Sequence, residues 1–137
     1  MKIMIDTNIV LDVLLDREPF ANSSAEILSL CERQKLNGVI TASCVTDIFY
    51  IVRKTLHSTE KTYEIVGGIL KIINICDVTD NDVLTAFSHR AKDFEDCLVS
   101  VCAKANKCDC IVTRNKKDYD NFNIPVFTPD ELIGKLR

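Results

Sequence analysis

Five short apolar runs, Ile3-Met4-Ile5, Val39-Ile40-Thr41, Ile75-Cys76-Asp77-Val78, Cys110-Ile111-Val112-Thr113 and Val126-Phe127, alternate with longer stretches whose apolar residues return at helical spacing. That alternation limits the fold more than any other feature. Short apolar runs without polar alternation read as strands buried on both faces. Strands of that kind, separated by helices, predict a parallel sheet covered on each side. The expected architecture is therefore α/β, a three-layer α/β/α sandwich built from one domain over residues 1–137. Its ligand crevice should lie where the carboxyl ends of the strands gather.

The helices can be sketched from the same pattern. Ile9, Val10, Val13 and Leu14 share one face of a first helix that ends before Pro19. Asn22 or Ser23 can cap a second, which carries Ile27, Leu28 and Leu30-Cys31 inward and stops at Asn37-Gly38. Ser43 or Thr46 starts a third with Ile48, Phe49, Ile51 and Val52. A fourth runs from about Glu60 to Ile73 and is interrupted at Gly67-Gly68. Thr79 or Asp80 opens the next, Asp93 caps another, and Thr128-Pro129 begins the last.

Composition removes several function classes. A hydrophobic fraction of 47% and a charged fraction of 27% are those of a globular chain. No segment approaches the ~18 uninterrupted apolar residues of a membrane span, and Asp6 and Asp12 break up the amino-terminal apolar residues. A cytoplasmic protein with no membrane association is expected. The seven cysteines are odd in number and fall inside apolar, periodic segments, so they read as reduced core residues. Cys108-Asp109-Cys110 is too closely spaced for a structural zinc pair. His57 and His89 are the only histidines and neither sits beside a nucleophile, which disfavours a Cys–His hydrolase. A net charge of −3 disfavours a general nucleic-acid coat but not a nuclease with an acidic centre.

The acids carry the chemistry. Asp6-Thr7-Asn8 follows the first strand directly. Asp47 falls in the first turn of the helix after Val39–Thr41, Asp93, Glu95 and Asp96 cluster at a helix start, and Asn115 and Asp118 follow Cys110–Thr113. Carboxylates gathered at one end of a sheet repel one another unless a cation neutralises them. Oxygen-only donors select Mg²⁺ or Mn²⁺ over zinc. Helix capping is the structural alternative for Asp6 and Asp93, and the macrodipole for Asp47. Arg53-Lys54 and His89-Arg90 with Lys92 read as solvated faces. Arg114, Lys116 and Lys117, beside the acids, read either as a solvated loop or as contacts to nucleic-acid phosphates.

Taken in order, Asp6-Thr7-Asn8, Thr41-Ala42-Ser43 leading to Asp47, Asp93-Phe94-Glu95-Asp96, and Ile111-Val112-Thr113-Arg114-Asn115 with Lys117-Asp118-Tyr119 resemble the PIN domain. The likeness extends over essentially the whole chain and is greatest to the small bacterial toxin ribonucleases of toxin–antitoxin operons. The resemblance implies a metal-dependent endoribonuclease, with Asp6, Asp47, Asp96 and Asn115 at the catalytic positions. Asp6, Asp96, Asp47 and Asp118 would be the metal-binding acids, with Asn8 and Thr113 orienting them. It implies RNA as substrate, a homodimer and an antitoxin partner. Two positions depart from the family pattern: Asp47 stands where Glu is usual and Asn115 where many members have Asp. Those departures support an alternative, a catalytically degenerate module that binds RNA or protein. A haloacid-dehalogenase-type phosphatase fits less well, because its second Asp is replaced by Asn8. A response-regulator receiver lacks its paired acid.

Overall fold

The computed structural model describes residues 1–119 and 122–137. Ile3, Met4 and Ile5 are fully buried in strand β1 (Lys2–Ile5), as a strand covered on both faces requires. It is followed by α1 (Thr7–Leu14), α2 (Ala21–Glu32), β2 (Asn37–Thr41), α3 (Ala42–Leu56) and α4 (Thr59–Leu70). Then come β3 (Asn74–Cys76), α5 (Asp80–His89), α6 (Phe94–Ala105), β4 (Cys110–Val112), a 3₁₀ turn (Lys116–Tyr119), β5 (Val126–Phe127) and α7 (Pro129–Leu136). The five strands pair in parallel in the order β3-β2-β1-β4-β5. The expected α/β sandwich is the one observed.

Topology decides where a site can form. The chain steps outward from β1 to β2 to β3, then crosses back to β4 and on to β5. Right-handed crossovers place α1–α4 on one face and α5–α6 on the other. The packing agrees, since α1 lies against α2 and α3, α3 against α4, and α5 against α6. The direction of winding reverses between β1 and β4, which opens a crevice beyond their carboxyl ends. Register then sets its floor. Ile3, Met4 and Ile5 pair with Cys110, Ile111 and Val112, so the next residues along, Asp6 and Thr113, stand side by side.

Several local expectations need correction. Phe20, not Asn22 or Ser23, occupies the N-cap of α2, and the Ser23 hydroxyl donates to Asp130 instead. Asn37-Gly38 does not stop α2 but lies in β2; the helix ends at Glu32, and Gln34 takes the left-handed conformation at φ 60°. Thr41, rather than Ser43 or Thr46, caps α3 by accepting from the Cys44 amide at 3.3 Å. Asp47 is therefore one turn into α3 and not in its first turn, beyond the reach of a macrodipole argument. α4 runs unbroken through Gly67-Gly68 and ends at Leu70. All seven cysteines are free thiols and six are buried, in keeping with a reduced core.

Gly38 is a packing constraint. A Cβ there would come within 2.7 Å of Cys31 Sγ and 2.8 Å of Ile5 Cδ1, both in the buried core. Gly38→Ala should lower stability by about 1–3 kcal/mol through overpacking. Urea unfolding checks this, with a shifted midpoint at an unchanged slope as the expected result.

Candidate active site

Asp6 sits at the N-cap position of α1 in extended conformation, yet its side chain makes no capping bond. Register has supplied a different partner. Thr113 Oγ1 donates to Asp6 Oδ2 at 2.7 Å, and the same hydroxyl accepts from the Asn115 amide at 3.1 Å. Asp6 is held at the strand end rather than spent on the helix. Burial nonetheless raises its pKa, against the lowering effect of the Thr113 hydroxyl and the Thr7 amide.

Around it lies a cleft of about 460 Å³ lined by Asp6, Asn8, Asp47, Asp93, Glu95, Asp96 and Asp118, with Leu11, Tyr50 and Ile51 on its apolar side. The acids arrive from four parts of the chain, with Asp6 following β1. Asp47 comes from α3, Asp93 to Asp96 from the start of α6, and Asp118 from the 3₁₀ turn. Asp93 does act as a cap, accepting from the Asp96 amide at 3.0 Å. Asp96 is pushed up to about 7 by burial first, then by the charges of Asp93, Asp6 and Asp118. Glu95 is also raised, by burial and then by Asp47 facing it. Repulsion at that level, among donors that are all oxygen, suits a hard divalent cation. Among the described residues no three of these side chains are already closed around a common point, so an ion would have to draw them together.

The sequence pattern had placed Glu95 in the acid cluster without giving it a role, and had passed over two other groups. Tyr119 is fully buried, and its hydroxyl donates to Asp96 Oδ1 at 3.2 Å while also facing Asp6. Burial drives its own pKa upward, so it remains a neutral donor. The second group is Asp12, whose side chain is wholly inaccessible. Arg114 Nε lies 3.4 Å from it and Arg17 3.9 Å. Arg114 also stacks on Phe20, 4.1 Å from the ring centre. A helical heptad cannot reveal a buried carboxylate whose partner is a hundred residues away.

The remaining expected residues are distributed unevenly. Asn8 lines the cleft, but Asn115 does not. Arg114 is turned toward Asp12 and does not line the cleft. Lys116 pairs with Glu131 at 3.1 Å on the surface, and Lys117 is exposed with no ion pair among the described residues.

Comparison with known proteins places this geometry. A family model described as the PIN domain matches residues 2–117. The chain belongs to the PIN-domain family. Ribonuclease VapC1 of Aquifex aeolicus (strain VF5) is 23% identical over 139 residues, covering 98% of this chain and 94% of that protein. The structure of VapBC2 from Rickettsia felis bound to a promoter DNA fragment has a TM-score of 0.73 at 18% identity, over 93% of this chain and 98% of that one. A toxin–antitoxin complex from Klebsiella pneumoniae gives a TM-score of 0.68 at 19% identity, over 92% and 96%. This PIN domain therefore shares its sandwich with those folds while its sequence has drifted far from them.

Two outcomes follow from the raised acids and their donor. The folded chain binds more protons than the unfolded one between the ordinary carboxyl range, about 4, and the Asp96 value of about 7. Stability of the metal-free protein should thus be fullest below pH 4 as far as this group is concerned, and fall as pH rises through 7. Melting temperatures taken across that range test this, and Asp96→Asn should flatten the slope. Separately, Tyr119→Phe keeps the buried ring and removes only the hydroxyl. It should weaken Mn²⁺ binding by about tenfold, read by titration calorimetry, because the partner that orients Asp96 is gone.

Proposed function

We propose that this PIN domain is a metal-dependent endoribonuclease that uses Mg²⁺ or Mn²⁺. The observation that carries the reading is the convergence of Asp6, Asp47, Glu95, Asp96 and Asp118 on one cleft at the sheet's switch point, with Asp96 raised to about 7 by burial and then by the charges around it. Family membership and the similarity to a protein named as a ribonuclease support it.

Asp6 and Asp96 are the ligands best prepared for the ion. Asp6 is engaged from within the protein by the Thr113 hydroxyl and Asp96 by the Tyr119 hydroxyl, which orients both carboxylates toward the cleft they line. Asp47 and Asp118 complete the set, with Glu95 as an additional acid beside Asp47. A bound ion supplies an activated water and polarises the phosphoryl oxygen. The chain's own contribution is to hold the carboxylates in register and to close one side of the cleft with Leu11 and Ile51. Lys117, together with Lys116 once released from an exposed pair worth little, lies beside Asp118 and would hold backbone phosphates.

The similarity to a toxin–antitoxin complex supports a toxin role with an antitoxin partner, and a homodimer belongs to the same proposal. Leu84, Phe87 and Phe94 form an exposed apolar patch next to the acids that such a contact would cover. A second reading, a non-catalytic RNA- or protein-binding module, is favoured by the position of Asn115 outside the cleft and by the open arrangement of the acids.

Cleavage of single-stranded and structured RNAs with Mg²⁺, with Mn²⁺ and with chelator separates the two. Metal-dependent cleavage that falls at least a hundredfold in both Asp6→Asn and Asp96→Asn, as for groups acting on the transition state, is the expected result (about 10²–10³ for one such group). A folded, metal-loaded chain that cuts no RNA would establish the binding module.

A further inference from the structure

We infer that the exposed face of α3 is a track for single-stranded RNA leading away from the acid cleft, with Tyr50 stacking a base and Lys54 holding the adjoining phosphate. The inference rests on the ribonuclease reading for the identity of its ligand. It extends that reading by assigning a binding surface to residues outside the motifs.

Three residue types occupy one helical stripe. At 100° per residue, Asp47, Tyr50 and Lys54 fall within about 60° of each other, and at 1.5 Å per residue they lie about 4.5 and 10.5 Å along the axis from the first to the others. Asp47 and Tyr50 both line the cleft, so the stripe begins at the acids. Tyr50 is 57% exposed. Tyr63 on α4 is exposed as well, but its ring meets Phe49 at 4.7 Å, whereas Tyr50 has no aromatic partner among the described residues. A large aromatic face left open at the mouth of a phosphate-handling cleft suits a base, since every base offers a π-face.

Charge points the same way. Arg114 is committed to the buried Asp12, and Lys116 to Glu131. Arg53 and Lys54, in the last turn of α3, make no ion pair among the described residues, and both are exposed. The sequence pattern made these two merely solvated. Lys54 stands at the end of a stripe that starts with an acid and an aromatic, where it has a phosphate to bind, while Arg53 lies about 100° round the helix from it.

The test is fluorescence anisotropy of a labelled single-stranded oligoribonucleotide in Mg²⁺, with Asp6→Asn as the parent so that binding is read without turnover. Tyr50→Ala should weaken binding by about tenfold or more. Lys54→Ala should reduce the dependence of log affinity on log salt by about 0.7, the loss of one phosphate contact. Tyr63→Ala, which removes a still more exposed aromatic off the stripe, should bind as the parent does. In the native chain Tyr50→Ala should raise KM and leave kcat within about twofold. Unchanged affinity in both Tyr50→Ala and Lys54→Ala overturns the track while leaving the nuclease standing, and a parent that binds no oligoribonucleotide overturns it too. RNA that is bound through Tyr50 and Lys54 but never cut by the native chain supports the track and removes the nuclease.

Discussion

Mutual repulsion among carboxylates is the constraint around which the rest of the molecule is arranged. Six acids from four different parts of the chain face one cleft, and their proximity alone is unfavourable. The fold tolerates this because the acids sit at the ends of elements whose positions are settled elsewhere, by a sheet buried on both faces and by helices packed across it. Stability is gathered in the strands and spent at their carboxyl ends. Thr113 and Tyr119 offset part of the cost by donating to Asp6 and Asp96, the two acids with the least access to water as a partner. A cation would offset the remainder.

The site also shows how a parallel sheet converts register into chemistry. Asp6 and Thr113 are 107 positions apart and share no local signal, yet pairing of Ile5 with Val112 makes them neighbours. A slip of one residue would turn Thr113 away and leave Asp6 free to cap α1. The strict burial of Ile3 to Ile5 and Cys110 to Val112 makes that slip costly, since each strand is packed on both faces. Precision at the cleft is thus inherited from apolar packing well below it.

Much of this was legible in the order of residues, and the parts that were not share a cause. The strands and the acids that follow them could be read because a buried run is short, apolar and bounded, and its end is where polar residues resume. Asp93 was readable as a cap, and the structure has it accept from the Asp96 amide. Asp47 was misplaced by a turn because Thr41, Ser43 and Thr46 are all competent caps, and only the end of β2 decides among them. Arg114 looked like a phosphate contact because its charge is visible in the sequence and its partner, a buried Asp12 on another element, is not. Tyr119 had no assigned role beside Lys117-Asp118, since a hydroxyl reaching a carboxylate 23 positions earlier has no linear signature.

The clamp between Arg114 and Asp12 has a further meaning for motion. It ties the segment after β4 to the middle of α1, while the Asp6 amide binds the Val112 carbonyl at 3.0 Å on the near side. The floor of the cleft is therefore fastened front and back to the most deeply buried part of the fold. The Asp6 amide hydrogen, bonded between the two central strands, can reach solvent only when the central sheet itself opens, so it belongs to the slowest-exchanging class of the protein. The wall opposite carries Asp93, Phe94 and Glu95 on an exposed helix start, tied more lightly among the described residues, by the Tyr119 hydroxyl to Asp96 and by the Phe87 ring against Phe94. A ligand entering this site meets one rigid side and one compliant one, and the adjustment needed to seat it falls on the start of α6.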